Sequence, residues 1–247
     1  MARHAIIVPC FNEERRLQTE RFLAFAAAHE DVHLLFVDDG STDGTRAVLE
    51  GMQAKADGRI DVLVLEQNGG KAEAVRRGVR HAATGAVETF GYWDADLSTP
   101  LDQILPFADL LDERPELLVV MGSRVKLLGR AIERQAARHY LGRVFATCAS
   151  LVLRLPVYDT QCGAKLFRNT HGTRWAFRTP FLSRWLFDVE LLARLGLLGK
   201  RRAAYDTHTC VYEKPLPVWR DIAGSKLKLR DWVKASWELV RIGCRYR

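Results

Sequence analysis

With 247 residues, 48% of them hydrophobic and 27% charged, the chain has a globular composition and the length to enclose its own core, which excludes a disordered polymer. Its 18 Gly and 8 Pro are dispersed rather than gathered into a linker. The formal net charge of +7 is lopsided: residues 200–247 carry 12 Lys or Arg against 5 Asp or Glu, while residues 1–199 carry 25 of each, too balanced for a nucleic-acid-binding surface.

Along the chain, short apolar runs alternate with helical patterns. MARHAIIVPC holds too short an apolar stretch for a signal peptide before Asn12 and Glu13, and reads as a first strand over 5–9. Runs at 33–39, 60–66 and 87–96 are apolar enough for strands buried on both faces, and 13–29, 42–56 and 70–84 place apolar residues at helical spacing. That alternation predicts right-handed βαβ units, an α/β fold with a mostly parallel sheet flanked by helices. Asn12 and Ser41-Thr42-Asp43 stand where helix N-caps belong, and Gly69-Gly70 opens the third helix. A strand follows near 117–123, then a basic-apolar helix over 130–155, short strands at 164–168 and 204–213, and helices at 187–197 and 225–241.

Cys10, Cys148, Cys162, Cys210 and Cys244 are odd in number and lack a C-x-x-C pair, so neither zinc nor a disulfide framework is expected and a cytoplasmic, reducing setting fits. No apolar run approaches the roughly 20 residues of a membrane span. Residues 225–245 mix Trp232, Trp237 and aliphatic residues with Lys and Arg, which suits either an interfacial helix on an anionic leaflet or a helix packed on its own domain.

Ligands of open α/β sheets bind beyond the carboxyl ends of the strands, so polar residues that end apolar strands are the first candidates. Asp94-Ala95-Asp96 ends such a strand, and two carboxylates at this spacing suit one hard cation, Mg or Mn, whose shell is completed by phosphates and water. Asp38-Asp39 ends another, and reads as a helix cap or as an acceptor for nucleobase and ribose donors. Lys71, after Asn68-Gly69-Gly70, lies at a helix start that favours anions, although the G-x-x-x-x-G-K-[ST] phosphate loop is absent. Asp159-Thr160-Gln161-Cys162-Gly163-Ala164-Lys165 and Phe187-Asp188-Val189-Glu190 are further acid-bearing segments.

Taken in order, IIVPCFNEERRL, FVDDGSTDGT, NGGKAEAVRRG, DADLSTP, GSR, DTQCGAKLF, FDVELL and GSKL resemble the family 2 glycosyltransferases. The resemblance is to their polyprenyl-phosphate and dolichyl-phosphate sugar transferases, nearest the dolichyl-phosphate β-glucosyltransferase type. It implies a single GT-A domain, with a nucleotide-binding half over about 1–125 and an acceptor-side half with amphipathic helices over about 126–247. It also implies inverting, metal-dependent transfer of a hexose from a nucleotide diphosphate-sugar to a lipid phosphate, with UDP-glucose favoured over GDP-mannose. By matching position, Pro9, Phe11, Glu13, Val37 and Asp39 surround the nucleoside, and Asp94 and Asp96, with Ser98 nearby, hold metal and diphosphate. Arg124, Arg138, Arg220 and Lys226 contact phosphates, and Asp159, Gln161 and Asp188 lie near the sugar. Gly142 departs from the pattern, standing where a serine often follows Arg138 by four.

A lipid phosphate is already anionic and attacks without a strong base, so catalysis reduces to alignment and leaving-group stabilisation. A saccharide hydroxyl, the alternative acceptor, requires a base, for which Asp188 is the candidate. The implied partners are thus the nucleotide-sugar, the lipid phosphate and a peripheral membrane surface, with no nucleic acid.

Overall fold

The computed structural model describes residues 2–83, 86–133, 136–220 and 229–246. The first half alternates β1 (His4–Cys10), α1 (Thr19–Ala28), β2 (Val32–Asp38), α2 (Thr45–Lys55), β3 (Ile60–Val64), α3 (Lys71–Ala82) and β4 (Thr89–Trp93). Next come α4 (Ile104–Glu113), β5 (Val119–Ser123), β6 (Ala131–Glu133), α5 (Ala136–Leu153), β7 (Ala164–Arg168) and α6 (His171–Ala176). The chain continues with α7 (Phe187–Gly199), α8 (Thr207–Cys210), β8 (Val211–Pro215), β9 (Val218–Arg220) and α9 (Leu229–Tyr246).

Among the described residues the main sheet has the order β3-β2-β1-β4-β7-β5-β8. β1 runs parallel to β2 and β4, and β5 parallel to β8, while β7 lies antiparallel between β4 and β5. The carboxyl ends of β1, β2, β4, β5 and β8 therefore share one edge. Because β7 runs backwards, with Ala164 opposite Trp93, its preceding loop reaches that same edge. A small parallel ribbon of β6 and β9 stands beside it.

Side-chain alternation explains the two cores. Ile6 and Val8 of β1 and Leu34 and Phe36 of β2 point to one face, packing with Phe22, Leu49 and Phe107 from α1, α2 and α4. Ile7, Leu35 and Val37 point to the other, against Val75 and Val79 of α3. Apolar runs without polar alternation are what a sheet covered on both faces requires.

Several local expectations are corrected. The first helix begins at Thr19 rather than 13, because Asn12 adopts a left-handed conformation and the preceding loop binds its neighbour: Asn12 N–H donates to Ser41 Oγ (3.0 Å) and Glu13 N–H to Thr45 Oγ1 (2.7 Å). Asn12 therefore caps nothing in α1. Residues 131–133 form a strand instead of helix, drawn into register with β9 while Ile132 enters the core. Residues 204–213 are strand only from Val211, since the Asp206 carboxylate accepts His208 N–H and caps the short α8. Helices α4 and α6 had no counterpart in the expected pattern.

Helices α5, α7 and α9 enclose a third cluster of Phe145, Ala149, Leu186, Val189, Leu239 and Ile242. It is pinned by a fully buried ion pair, Arg194 Nη2 to Glu190 Oε1 at 2.8 Å, to which the Tyr246 hydroxyl adds a 2.8 Å hydrogen bond. Arg194 also donates to the carbonyls of Ala176, Thr179 and Pro180. α9 thus packs on its own domain through Leu239 and Ile242, while Trp237 and Val240 stay exposed. Residues 225–228 of the expected helix lie outside the described residues. No described helix is long and apolar enough to cross a membrane, and all five cysteines are free.

Candidate active site

The shared carboxyl edge opens into a cleft of ≈ 240 Å³ whose lining includes Pro9, Phe11, Glu13, Asp39, Lys71, Asp94, Ala95 and Asp96. Asp94 and Asp96 follow β4 directly. Asp94 N–H is fixed by Gly163 O at 3.1 Å, and Asp96 Oδ1 accepts the N–H of Ser98 at 2.9 Å. Burial and the neighbouring Asp94 charge raise the Asp96 pKa. Two oxygen donors whose mutual repulsion a cation relieves fit Mg or Mn. Among the described residues no group of three or more His, Cys, Asp or Glu gathers at one point. Ser98, expected near the ligands, holds Asp96 through both its backbone N–H and its side chain.

On the other side of the cleft, the buried Asp39 carboxylate accepts the N–H groups of Gly69 and Gly70, both at 2.8 Å, and so is held at the start of α3. Burial pushes its pKa up, against the pull of those two donors. Glu13 is clamped by Arg16, with Nε to Oε2 at 3.0 Å, and Phe11 stays exposed at the cleft mouth. Val37 does not line the cleft: its side chain is fully buried in the core beneath α3, two residues short of Asp39, where the chain meets the cleft.

Lys71 forms an ion pair with Asp94. Burial disfavours its charge, yet the carboxylates of Asp94, Asp188 and Asp96 outweigh burial and raise its pKa. Below it lies a second pair. Asp188 at the start of α7 is buried, and its Oδ1 accepts from Lys165 Nζ (2.5 Å) and from the Tyr92 hydroxyl. Lys165, itself fully buried, also donates to the carbonyls of Thr160 (2.9 Å) and Cys162 (2.7 Å). Tyr92 and Lys165 carry no functional signal of their own in the sequence; both are engaged by Asp188.

Asp159 is likewise occupied. Arg124 holds it in a two-pronged ion pair, Nε to Oδ2 at 2.6 Å and Nη2 to Oδ1 at 2.8 Å, and stacks over the Trp219 ring. Both Asp159 oxygens are thus engaged by Arg124. Gln161 lies with Asp159 and Arg124 against α5 rather than along the nucleotide cleft. Arg220 ends β9 with an exposed side chain and donates its N–H to Ser98 O at 3.1 Å, beside the Asp94–Asp96 turn. The Arg138 side chain and Lys226 lie outside the described residues.

Gly163 is where the paired acids can be perturbed most locally. A Cβ there would sit 1.8 Å from Asp94 Oδ2, so Gly163→Ala must swing the carboxylate aside. The expected result is a loss of about 100-fold in metal-dependent turnover, the scale for roughly ångström misplacement. A manganese titration of activity, with a thermal melt to confirm folding, checks it.

This architecture is shared with solved structures of glucosyl-3-phosphoglycerate synthase from Mycobacterium tuberculosis. One, in complex with phosphoglyceric acid, superposes with a TM-score of 0.69 at 18% identity over 99% of this chain and 80% of that one. Another, with Mn2+ and UDP-glucose, gives 0.68 at 18% over 98% and 77%. The fold is that of the GT-A glycosyltransferases. The glycosyl transferase family 2 profile matches residues 5–182, and the chain belongs to that family. Its similar relatives include the dolichyl-phosphate beta-glucosyltransferases of Drosophila melanogaster (32% identical over 98% of this chain and 74% of that protein) and Mus musculus (30%, 98% and 75%).

Proposed function

We propose that this glycosyltransferase moves glucose from UDP-glucose to a polyprenyl or dolichyl phosphate at a membrane surface, inverting the anomeric centre. The observation that carries the acceptor is the state of the acids: Asp188 is paired with Lys165 and Asp159 with Arg124, while Asp94 is paired with Lys71. No carboxylate set apart for deprotonating a hydroxyl stands among them, whereas a phosphate nucleophile needs none. The names of the relatives point the same way.

In this reading Asp39, Glu13 and Phe11 grip the nucleoside and Asp94 and Asp96 hold the cation. A bound Mg or Mn neutralises the departing diphosphate. Lys71 leaves Asp94 to contact the diphosphate as the donor enters, exchanging one anion for another. The Asp188–Lys165–Tyr92 network fixes the sugar end, and Arg220, Arg138 and Lys226 receive the acceptor phosphate. The lipid phosphate then attacks from the face opposite the leaving group, with catalysis supplied by alignment and charge.

The test incubates purified protein and Mn or Mg with a short-chain polyprenyl phosphate and either UDP-glucose or GDP-mannose, following nucleotide diphosphate release and glycolipid. Metal-dependent glucolipid is the expected result. Nucleotide binding with no glycolipid from either donor refutes the acceptor assignment and leaves saccharide hydroxyls to be tried; mannolipid alone refutes the donor.

A further inference from the structure

We propose that the tip of the segment between β5 and β6, Leu127 and Leu128, inserts into an anionic lipid surface and sets the height of the cleft above it. The inference deepens the lipid-acceptor reading and rests on it for its purpose, while its test needs neither donor nor acceptor.

Leu128 is 103% exposed and Leu127 49%, so the first stands clear of the protein and the second is half covered. Reverse turns ordinarily place polar residues at such tips. Here two adjacent leucines lead into Gly129, whose φ of 78° makes the turn. The base of the segment, by contrast, is fixed. Arg130 N–H returns to Leu127 O at 3.1 Å, Arg130 Nη1 donates to Pro215 O at 2.7 Å, and Ala131 N–H to Pro217 O at 2.9 Å. An apolar pair is therefore presented on an anchored base, Leu128 without cover and Leu127 half covered.

Charge and position name the partner. Lys126 is exposed immediately before the pair and Arg130 follows it, so cations flank leucines at the spacing that leaves charges among headgroups while the aliphatic tip lies below them. The segment leaves the sheet at Ser123, on the edge that carries Asp94 and Asp96, and its first residue, Arg124, clamps Asp159. Insertion of the tip consequently orients the cleft toward the lipid surface from which a lipid-borne phosphate must come.

The experiment is co-sedimentation of the full chain with phosphatidylglycerol–phosphatidylcholine vesicles and with phosphatidylcholine alone, without nucleotide-sugar or polyprenyl phosphate. The wild type is expected to sediment with the anionic vesicles. L127S/L128S should weaken that partition by at least about tenfold, the scale of one leucine returned to water, with an unchanged melting temperature. K126S should weaken binding to anionic vesicles alone. A comparison variant, W237S/V240S, removes the exposed apolar side chains of α9. If L127S/L128S binds like wild type, or if only the α9 variant loses binding, the proposal is overturned. Failure of the wild type to bind also overturns it, and leaves the donor and acceptor chemistry to be judged by the glycolipid assay.

Discussion

Asp96→Ala is expected to lower kcat/KM for sugar transfer by about 10³-fold, in the range seen when one preorganised stabiliser of developing charge is lost. Of the paired acids, Asp94 is bonded to Lys71, so Asp96 is the one without an ion-pair contact, held by the Ser98 amide and side chain. Without it the cleft keeps Lys71 but loses a donor oxygen from a set of two. Stability should move the other way. Burial and the Asp94 charge raise the Asp96 pKa, which means that the ionised group opposes folding near neutral pH; its removal raises the melting temperature in metal-free buffer. A melt and a metal titration on the same sample separate the effects. A variant that keeps wild-type activity, or that melts lower, contradicts this account of Asp96.

Arg194→Ala is expected to be the most damaging change to stability. Glu190 is fully buried and Arg194 nearly so, and removing the cation strands a carboxylate in the core between α7 and α9. The cost of breaking such a pair is about 3–5 kcal/mol, a fall of roughly 10 °C in melting temperature for a chain of this size. Three loop carbonyls, those of Ala176, Thr179 and Pro180, lose their donor at the same time. The double change R194M/E190L should recover a large part of the loss, because apolar replacement of the whole pair removes the unpaired charge. A thermal melt that moves by less than about 2 °C in Arg194→Ala would show the pair to be inert.

Much of the nucleotide-binding side is legible in the sequence because its information is local. The strands β2 and β4, buried on both faces, read as continuous apolar runs that lead into Asp39 and Asp94, whereas the run at 60–66 reads the same way but forms β3, a partly exposed strand at the edge of the sheet. What is not legible depends on partners far away. Ala131-Ile132-Glu133 carries no strand signal of its own and becomes one by pairing with Val218–Arg220. Lys165 in AKLFR reads as an ordinary charged strand residue; only the approach of α7 reveals that it neutralises Asp188. The same holds for Asp159, whose availability is decided by Arg124, 35 residues earlier. Val37 shows the converse: a motif position carries the residue, but the packing of α3 over β2 makes its side chain part of the core.

The reversed direction of β7 bears on how the protein is made. Ribosomes deliver the amino end first, so β1 to β4 emerge while Ala164–Arg168, the partner of β4 on its outer side, is still unsynthesised. Until then β4 is an open sheet edge, an invitation to pair with a neighbouring nascent chain. Asp94 also lacks its Gly163 anchor during that interval. Completion of the paired-acid loop and protection of that edge are therefore one event, and a chain released before residue 164 would be both catalytically unformed and prone to aggregate.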